Sequence, residues 1–193
     1  MPTSQPSRPA RARDHAAILT RLVALLVVLL APRGAAAQEE HPIQLSLLSP
    51  VQIYDETDAI SGLRLSLLYG KNTNVTGLDF SFVANHVTGD FKGVQLGIVG
   101  VIDGNSTGWQ WNAVNFSRGD FNGLQLGLYN RTTTGRGVQF GTVNHTTGAS
   151  YRGLQVSIVN YAQRIDGVQI GLLNIIKEGG QFPFFPIVNW GNE

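Results

Sequence analysis

Gly93-Val94-Gln95-Leu96-Gly97-Ile98-Val99-Gly100, Gly123-Leu124-Gln125-Leu126-Gly127-Leu128-Tyr129-Asn130 and Gly137-Val138-Gln139-Phe140-Gly141-Thr142-Val143-Asn144 are one phrase written three times. In looser form it occurs eight times, opening at Gly62, Gly77, Gly93, Gly108, Gly123, Gly137, Gly153 and Gly167. The openings are 15, 16, 15, 15, 14, 16 and 14 residues apart. A period this short and regular means one small supersecondary unit stacked many times.

With the opening glycine as column zero, column one is Leu63, Leu78, Val94, Trp109, Leu124, Val138, Leu154 and Val168. Column three is Leu65, Phe80, Leu96, Trp111, Leu126, Phe140, Val156 and Ile170, and column five is equally apolar from Leu67 to Leu172 apart from Thr142. Column two is glutamine in six copies, Gln95, Gln110, Gln125, Gln139, Gln155 and Gln169, with Arg64 and Asp79 in the first two. Column four is always small or an amide, and column seven is Asn115, Asn130, Asn144, Asn160 or Asn174 in five copies. Apolar residues at every second position define a strand with one buried face. The apolar stripe through Leu96, Leu126 and Val156 is therefore expected to merge into a dry interior, with the glutamines on the opposite, flat polar face. Trp109 and Trp111 are then expected in the core. Asparagine suits the bend after a strand, and the polar stretches at 117–120, 132–135 and 146–149 read as turns.

Two stackings fit an all-β chain of this kind. In a β-solenoid each repeat is one coil, identical columns lie about 4.8 Å apart, and glutamine pairs with glutamine and asparagine with asparagine in hydrogen-bonded ladders. In the alternative, each repeat is one strand of an antiparallel meander closing into a β-barrel. A membrane-spanning barrel needs an apolar band of about 25 Å. Columns one to five cover only about 13 Å at 3.3 Å per residue. The strict columns point to the solenoid.

Residues 1–37 read as a secretory signal peptide: Arg8, Arg11, Arg13 and Arg21, the apolar run Leu22 to Ala31, then Ala35-Ala36-Ala37 as the cleavage site. Removing the five arginines and one aspartate of this leader from totals of 14 basic and 13 acidic residues leaves 9 and 12, a net charge near −3. The basic residues are scattered singly, which argues against nucleic acid as a partner. There is no cysteine, so disulfides, thiolate metal sites and a lipidated cysteine are excluded. The remaining organisation is an opening strand and irregular cap over 38–61, eight repeats over 62–181, and a degenerate ninth copy over 182–193. In that ninth copy Ile187, Val188 and Asn189 line up with columns five to seven. Its two prolines, Pro183 and Pro186, mark a capping edge strand.

No constellation of a catalytic or cofactor site emerges. His86 and His145 fall just past the strand ends, several coils apart, and read as loop residues; no G-x-S-x-G elbow supports a hydrolase. Asp55-Glu56-Asp58 lacks the ligand alternation of a calcium loop, and recurrent Asp90, Asp120 and Asp166 lack the glycine-rich nonapeptide of calcium-binding β-rolls. The Asn-x-Ser/Thr triplets at Asn74, Asn105, Asn115, Asn130 and Asn144 arise from asparagine and threonine both serving turns.

The phrases GVQLGIVG (93–100), GLQLGLYN (123–130), GVQFGTVN (137–144) and GVQIGLLN (167–174), with the ending IIKEGGQFPFFPIVNW (175–190), resemble a family of bacterial secreted surface-repeat proteins. These carry tandem G-[LV]-Q-x-G-x-[VL]-N units behind a signal peptide. The likeness covers about Leu45 to Trp190, and departs where glutamine is missing from the first two copies and asparagine from the first three. It implies export to the periplasm, outer membrane or cell surface and no particular reaction. The sequence thus leads to a non-enzymatic envelope or surface module without cofactor. Its glutamine face is expected to offer a regular surface to a protein or carbohydrate partner, with membrane association the less favoured option and an outer-membrane barrel the alternative.

Overall fold

Successive repeats pair in parallel and in register, which settles the stacking in favour of the solenoid and against the antiparallel barrel. The structure is a computed structural model that describes residues 39–148 and 150–192; the proposed leader lies outside the described residues. Gly62 faces Gly77, Gly77 faces Gly93 and Gly93 faces Gly108, while Gln139 faces Gln155 and Gln155 faces Gln169. Among the described residues 11 strands form one sheet, two of them lying off its main path. They are β1 (Glu40–Leu48), β2 (Val51–Gln52), β3 (Ala59–Asn72), β4 (Val75–Ser81), β5 (Ala84–Val87), β6 (Phe91–Ile102), β7 (Ser106–Thr146), β8 (Tyr151–Val156), β9 (Val159–Arg164), β10 (Asp166–Glu178) and β11 (Phe184–Gly191). A coil has two sides. In the second coil they are β4 and β5, separated by a corner at Phe82-Val83, and in the seventh they are β8 and β9. Elsewhere the corner stays extended, so β7 runs through nearly three coils as one 41-residue segment.

The two faces are the reverse of those expected. Gln95, Gln125, Gln139, Gln155 and Gln169 are wholly buried and Gln110 is 1% exposed. The apolar columns one, three and five point outward, with Leu96, Leu126 and Val156 half-buried and Leu128 65% exposed. Trp109 and Trp111, expected in the core, are 58% and 63% exposed. Alternation identifies two faces of a strand but not which one is inside, and here the amides take the interior because stacking gives them hydrogen-bond partners. Each glutamine donates its Nε2–H to the Oε1 of the preceding coil: Gln110 to Gln95 at 3.2 Å, Gln125 to Gln110 at 2.7 Å, Gln139 to Gln125 at 2.7 Å, Gln155 to Gln139 at 2.6 Å and Gln169 to Gln155 at 2.8 Å. A second ladder links Asn115, Asn130, Asn144, Asn160 and Asn174 at 2.8 to 3.0 Å. Buried amides with partners escape the desolvation cost that isolated ones incur.

Glycine and small residues follow from these ladders. All eight opening glycines have positive φ; at Gly123 it is 151°, and a Cβ there would lie 1.9 Å from the carbonyl oxygen of Gly108. Column four stays small because a Cβ on Gly127, Gly141 or Gly171 would stand 2.8 Å from the ladder amide of Asn115, Asn130 or Asn160. The hydrophobic core proper is small and sits beside the amides in two clusters, Ile60, Val75, Val87, Phe91 and Ile102, then Phe121, Tyr151, Ala162, Ile165 and Ile176. These come from the column two residues before each glycine and from the end of the second side.

Both ends are closed differently from the middle. β1 is an opening coil in its own right, parallel to β3 with Gln44 opposite Arg64. β11 is the edge strand the prolines imply, but it runs antiparallel to β10, placing Asn189 opposite Gln169 rather than above Asn174. The expected match of Ile187, Val188 and Asn189 to columns five to seven therefore does not hold in space.

Candidate functional surface

The burial of the glutamines removes the expected polar docking face. Gln95, Gln110, Gln125, Gln139, Gln155 and Gln169 hold coils together and present nothing to a partner. The surface left by this inversion is apolar. Columns five and six are consecutive residues that both point out, so they form the corner between the two sides of each coil. The corner carries Leu67-Leu68, Phe82-Val83, Ile98-Val99, Ala113-Val114, Leu128-Tyr129, Thr142-Val143, Ile158-Val159 and Leu172-Leu173. Exposure is highest along its column five, 56% at Leu67, 64% at Phe82 and 66% at Leu172. Across columns one, three, five and six of eight coils there is no charged residue at all, and only Thr142, Tyr129, Trp109 and Trp111 bear a side-chain polar atom.

Two shallow apolar grooves lie on this face. One, of about 600 Å³, is bounded by Leu45, Leu47, Val51, Ile53, Phe80 and Phe82 at the N-terminal end. The other, about 410 Å³, lies among Phe140, Val156, Ile158, Ile170, Leu172 and Ile187 near the C-terminal end. The neighbouring outward column, one residue before each glycine, is variable and polar: Ser61, Thr76, Lys92, Thr107, Asn122, Arg136, Arg152 and Asp166. Arg152 and Asp166 pair at 3.4 Å, and Lys92 and Arg136 are exposed.

The histidines are not in loops. His86 lies in β5 and His145 in β7, each on the outer side of the coil's second strand and each against a tyrosine from the coil before. Tyr69 Oη is 2.9 Å from His86 Nδ1, and Tyr129 Oη is 3.1 Å from His145 Nδ1. His86 Nε2 also reaches Asp103 at 2.9 Å, and Asp103 pairs with Arg118 at 2.6 Å. Burial, and next the charge of Arg131, hold the His145 imidazole below its ordinary pKa of 6.5. Phe116, Tyr129, His145 and Tyr161 form a row of ring contacts along this side. The acidic turn is internally engaged: Glu56 accepts from Lys71 at 2.8 Å and from Ser49, contacts that hold its carboxyl below the usual range, and Asp58 lies 3.5 Å from His41. Among the described residues no group of three or more acidic or histidine side chains could hold a metal ion. Of the five glycosylation-like triplets, those at Asn115, Asn130 and Asn144 have their asparagine wholly buried in the ladder.

The sequence departures at the N-terminal end are also accounted for. Arg64 and Asp79 fill the glutamine column as a fully buried, bidentate ion pair, with Nε–Oδ1 and Nη2–Oδ2 both 2.6 Å. Asn85, one residue late because of a 16-residue repeat, occupies the asparagine column opposite Gly70 and Gly100. No helix among the described residues is long and apolar enough to cross a membrane. No family model, curated protein or solved structure matches the chain.

Proposed function

We propose that this chain is an exported, non-enzymatic envelope or surface protein whose solenoid serves as a rigid structural or binding module. The observation that carries the reading is the charge-free apolar corner running the length of the solenoid over an interior of laddered amides. A contiguous apolar surface of this size marks a place where something docks. The working face is the outward apolar one rather than the glutamine face. Export is the expectation that the arginine-rich, apolar, alanine-ended leader carries, and it supplies the compartment.

The test is expression of the full chain in a Gram-negative host, with N-terminal sequencing and cell fractionation. The expected product begins at Gln38 and is retained with the envelope, and Leu128→Glu with Ile158→Glu releases it to the soluble periplasm. An unprocessed chain in the cytosol, or retention indifferent to both changes, would refute the reading. One observation favours a second ligand class. Trp109 and Trp111 project side by side from one strand, the arrangement on which sugar rings stack. Carbohydrate retention that disappears on Trp111→Ala while envelope retention persists would establish that role separately.

A further inference from the structure

We propose that the solenoid lies lengthwise on a phospholipid bilayer, with the corner of columns five and six immersed among the acyl chains. The inference rests on the module reading above and names its partner.

Shape argues first. Two consecutive outward residues make the corner convex: apolar columns one and three lie before it on one side of the coil, and the valine-rich column six turns onto the other. A second copy packing sheet on sheet, at about 10 Å, covers one flat side and leaves the other wet. A fluid apolar phase covers both at once. Eight coils at about 4.8 Å give a ridge of roughly 35–40 Å. Immersion to the depth usual for interfacial elements, about 5–10 Å, takes in column five and its neighbours without reaching a charged side chain.

Charge argues second. The first polar column beside the ridge carries Lys92, Arg136 and Arg152 against a single acid, Asp166, which is already paired with Arg152. On the other side the column past the ridge bears Arg131 and, paired with Glu56 at 2.8 Å, Lys71. Cations flanking an immersed apolar strip sit at headgroup depth, where anionic lipids attract them. The acids Asp90 and Asp120 lie farther from the ridge, towards the turns.

Backbone argues third. Lipid tolerates no unpaired backbone polar groups. Along the ridge, coil-to-coil pairing occupies them: Ile98 and Val99 donate to Val83 O at 3.1 and 2.9 Å, and Leu173 donates to Ile158 O at 2.9 Å. A solenoid wall thus meets the condition that restricts lipid contact to helices and closed sheets.

The experiment uses the processed protein purified from cells expressing the full chain. It is co-sedimented with vesicles of phosphatidylethanolamine and phosphatidylglycerol, 3:1, and with pure phosphatidylcholine vesicles. Binding is expected to both, stronger to the anionic mixture, and reduced at least tenfold by Leu128→Glu with Leu172→Glu. Both residues are about two-thirds exposed, so the variant should keep the wild-type circular dichroism and unfolding midpoint. In a Trp190→Phe background, brominated acyl chains should quench Trp109 and Trp111, a readout that needs no destabilising change. Absence of sedimentation with either vesicle, or sedimentation without quenching and indifferent to the double change, overturns the proposal. So does a dimer in vesicle-free buffer that Leu128→Glu dissociates, since the ridge then belongs to a second copy. Envelope retention in cells without vesicle binding rejects lipid as the partner and leaves the module reading standing.

Discussion

Replacing Arg64 and Asp79 together by glutamine should be nearly neutral, although replacing either alone should be severe. Both side chains are fully buried, and the pair occupies two rungs of the glutamine column between Gln44 and Gln95. Arg64 donates twice to Asp79, and Asp79 also accepts from Gln95 Nε2 at 2.9 Å. Arg64 Nη1 donates to the His86 carbonyl at 3.1 Å. Arg64→Gln leaves a carboxylate with amide partners only, and Asp79→Gln leaves a guanidinium whose chief remaining acceptor is one carbonyl. Stranding one charge of a buried pair costs about 3–5 kcal/mol. The double change removes both charges and restores the residue that the next six coils use, extending an unbroken ladder from Gln44 to Gln169. Its residual cost, from the volume lost at Arg64, should be about 1–2 kcal/mol. Additivity of the singles gives about 6–10 kcal/mol, so the coupling energy should be at least about 4 kcal/mol, above the usual 0.5–3 for neighbours. For a chain of this size the singles should lower the melting temperature by roughly 6–20 °C, at about 2–4 °C per kcal/mol. Because each coil touches only its neighbours, hydrogen exchange should accelerate first in the N-terminal three coils. Thermal and urea unfolding of the four proteins measures the cycle. A double variant as unstable as either single, or singles that each cost under about 1 kcal/mol, would show that stranded charge does not govern this site.

The remaining predictions concern other columns. Tyr151 is wholly buried, and its hydroxyl has no hydrogen-bond partner among the described residues. Tyr151→Phe should therefore stabilise the protein by about 1 kcal/mol in urea titrations, and destabilisation would reveal a partner. Gly123→Ala must accept φ of 151° and displace the Gly108 carbonyl, so it should lower stability by at least about 3 kcal/mol or abolish folding. The lowered His145 pKa means that the unfolded chain binds its proton more tightly. Stability should be unaffected by this group well above pH 6.5, fall as pH drops through 6.5 towards the lowered value, and lose nothing further from it below that. His145→Phe should remove that part of the pH dependence in thermal melts between pH 7.5 and 5.

Much of the architecture was legible because period, column identity and ladder pairing are all properties of sequence spacing. The glutamine and asparagine ladders were expected from stacking geometry and are present. Compensation between columns was harder to see. Gly100 lacks the column-seven amide, and the space is filled instead by Asn112, a column-four residue that donates to Gln95 at 3.3 Å and to Asn115 at 2.7 Å. Gly70 is similarly filled by Ser66, which accepts from Ser46 at 2.7 Å. Asn85 is hidden in the sequence because one inserted residue shifts it out of its numbered column. The histidines were misplaced for a related reason: the second strand of each coil is short and polar at its end, so its pattern reads as a turn.

The inversion of faces bears most directly on function. Hydrophobic alternation alone suggests a buried stripe and so hides the candidate surface, although column four holds the clue. A column that is always small or an amide is what a packed amide interior needs, whereas a solvent face tolerates any polar residue. The column just before each glycine shows that tolerance, running through serine, threonine, lysine, asparagine, arginine and aspartate. It shares a face with columns one, three and five, so folding constrains the two sets similarly. Cross-strand packing between adjacent coils adds only about 0.2–1 kcal/mol per pair and is open to threonine or opposite charges. Yet the apolar columns never once adopt a charge across eight coils. Uniformity that the interior does not require, set beside variability on the same face, places the constraint in whatever covers the corner.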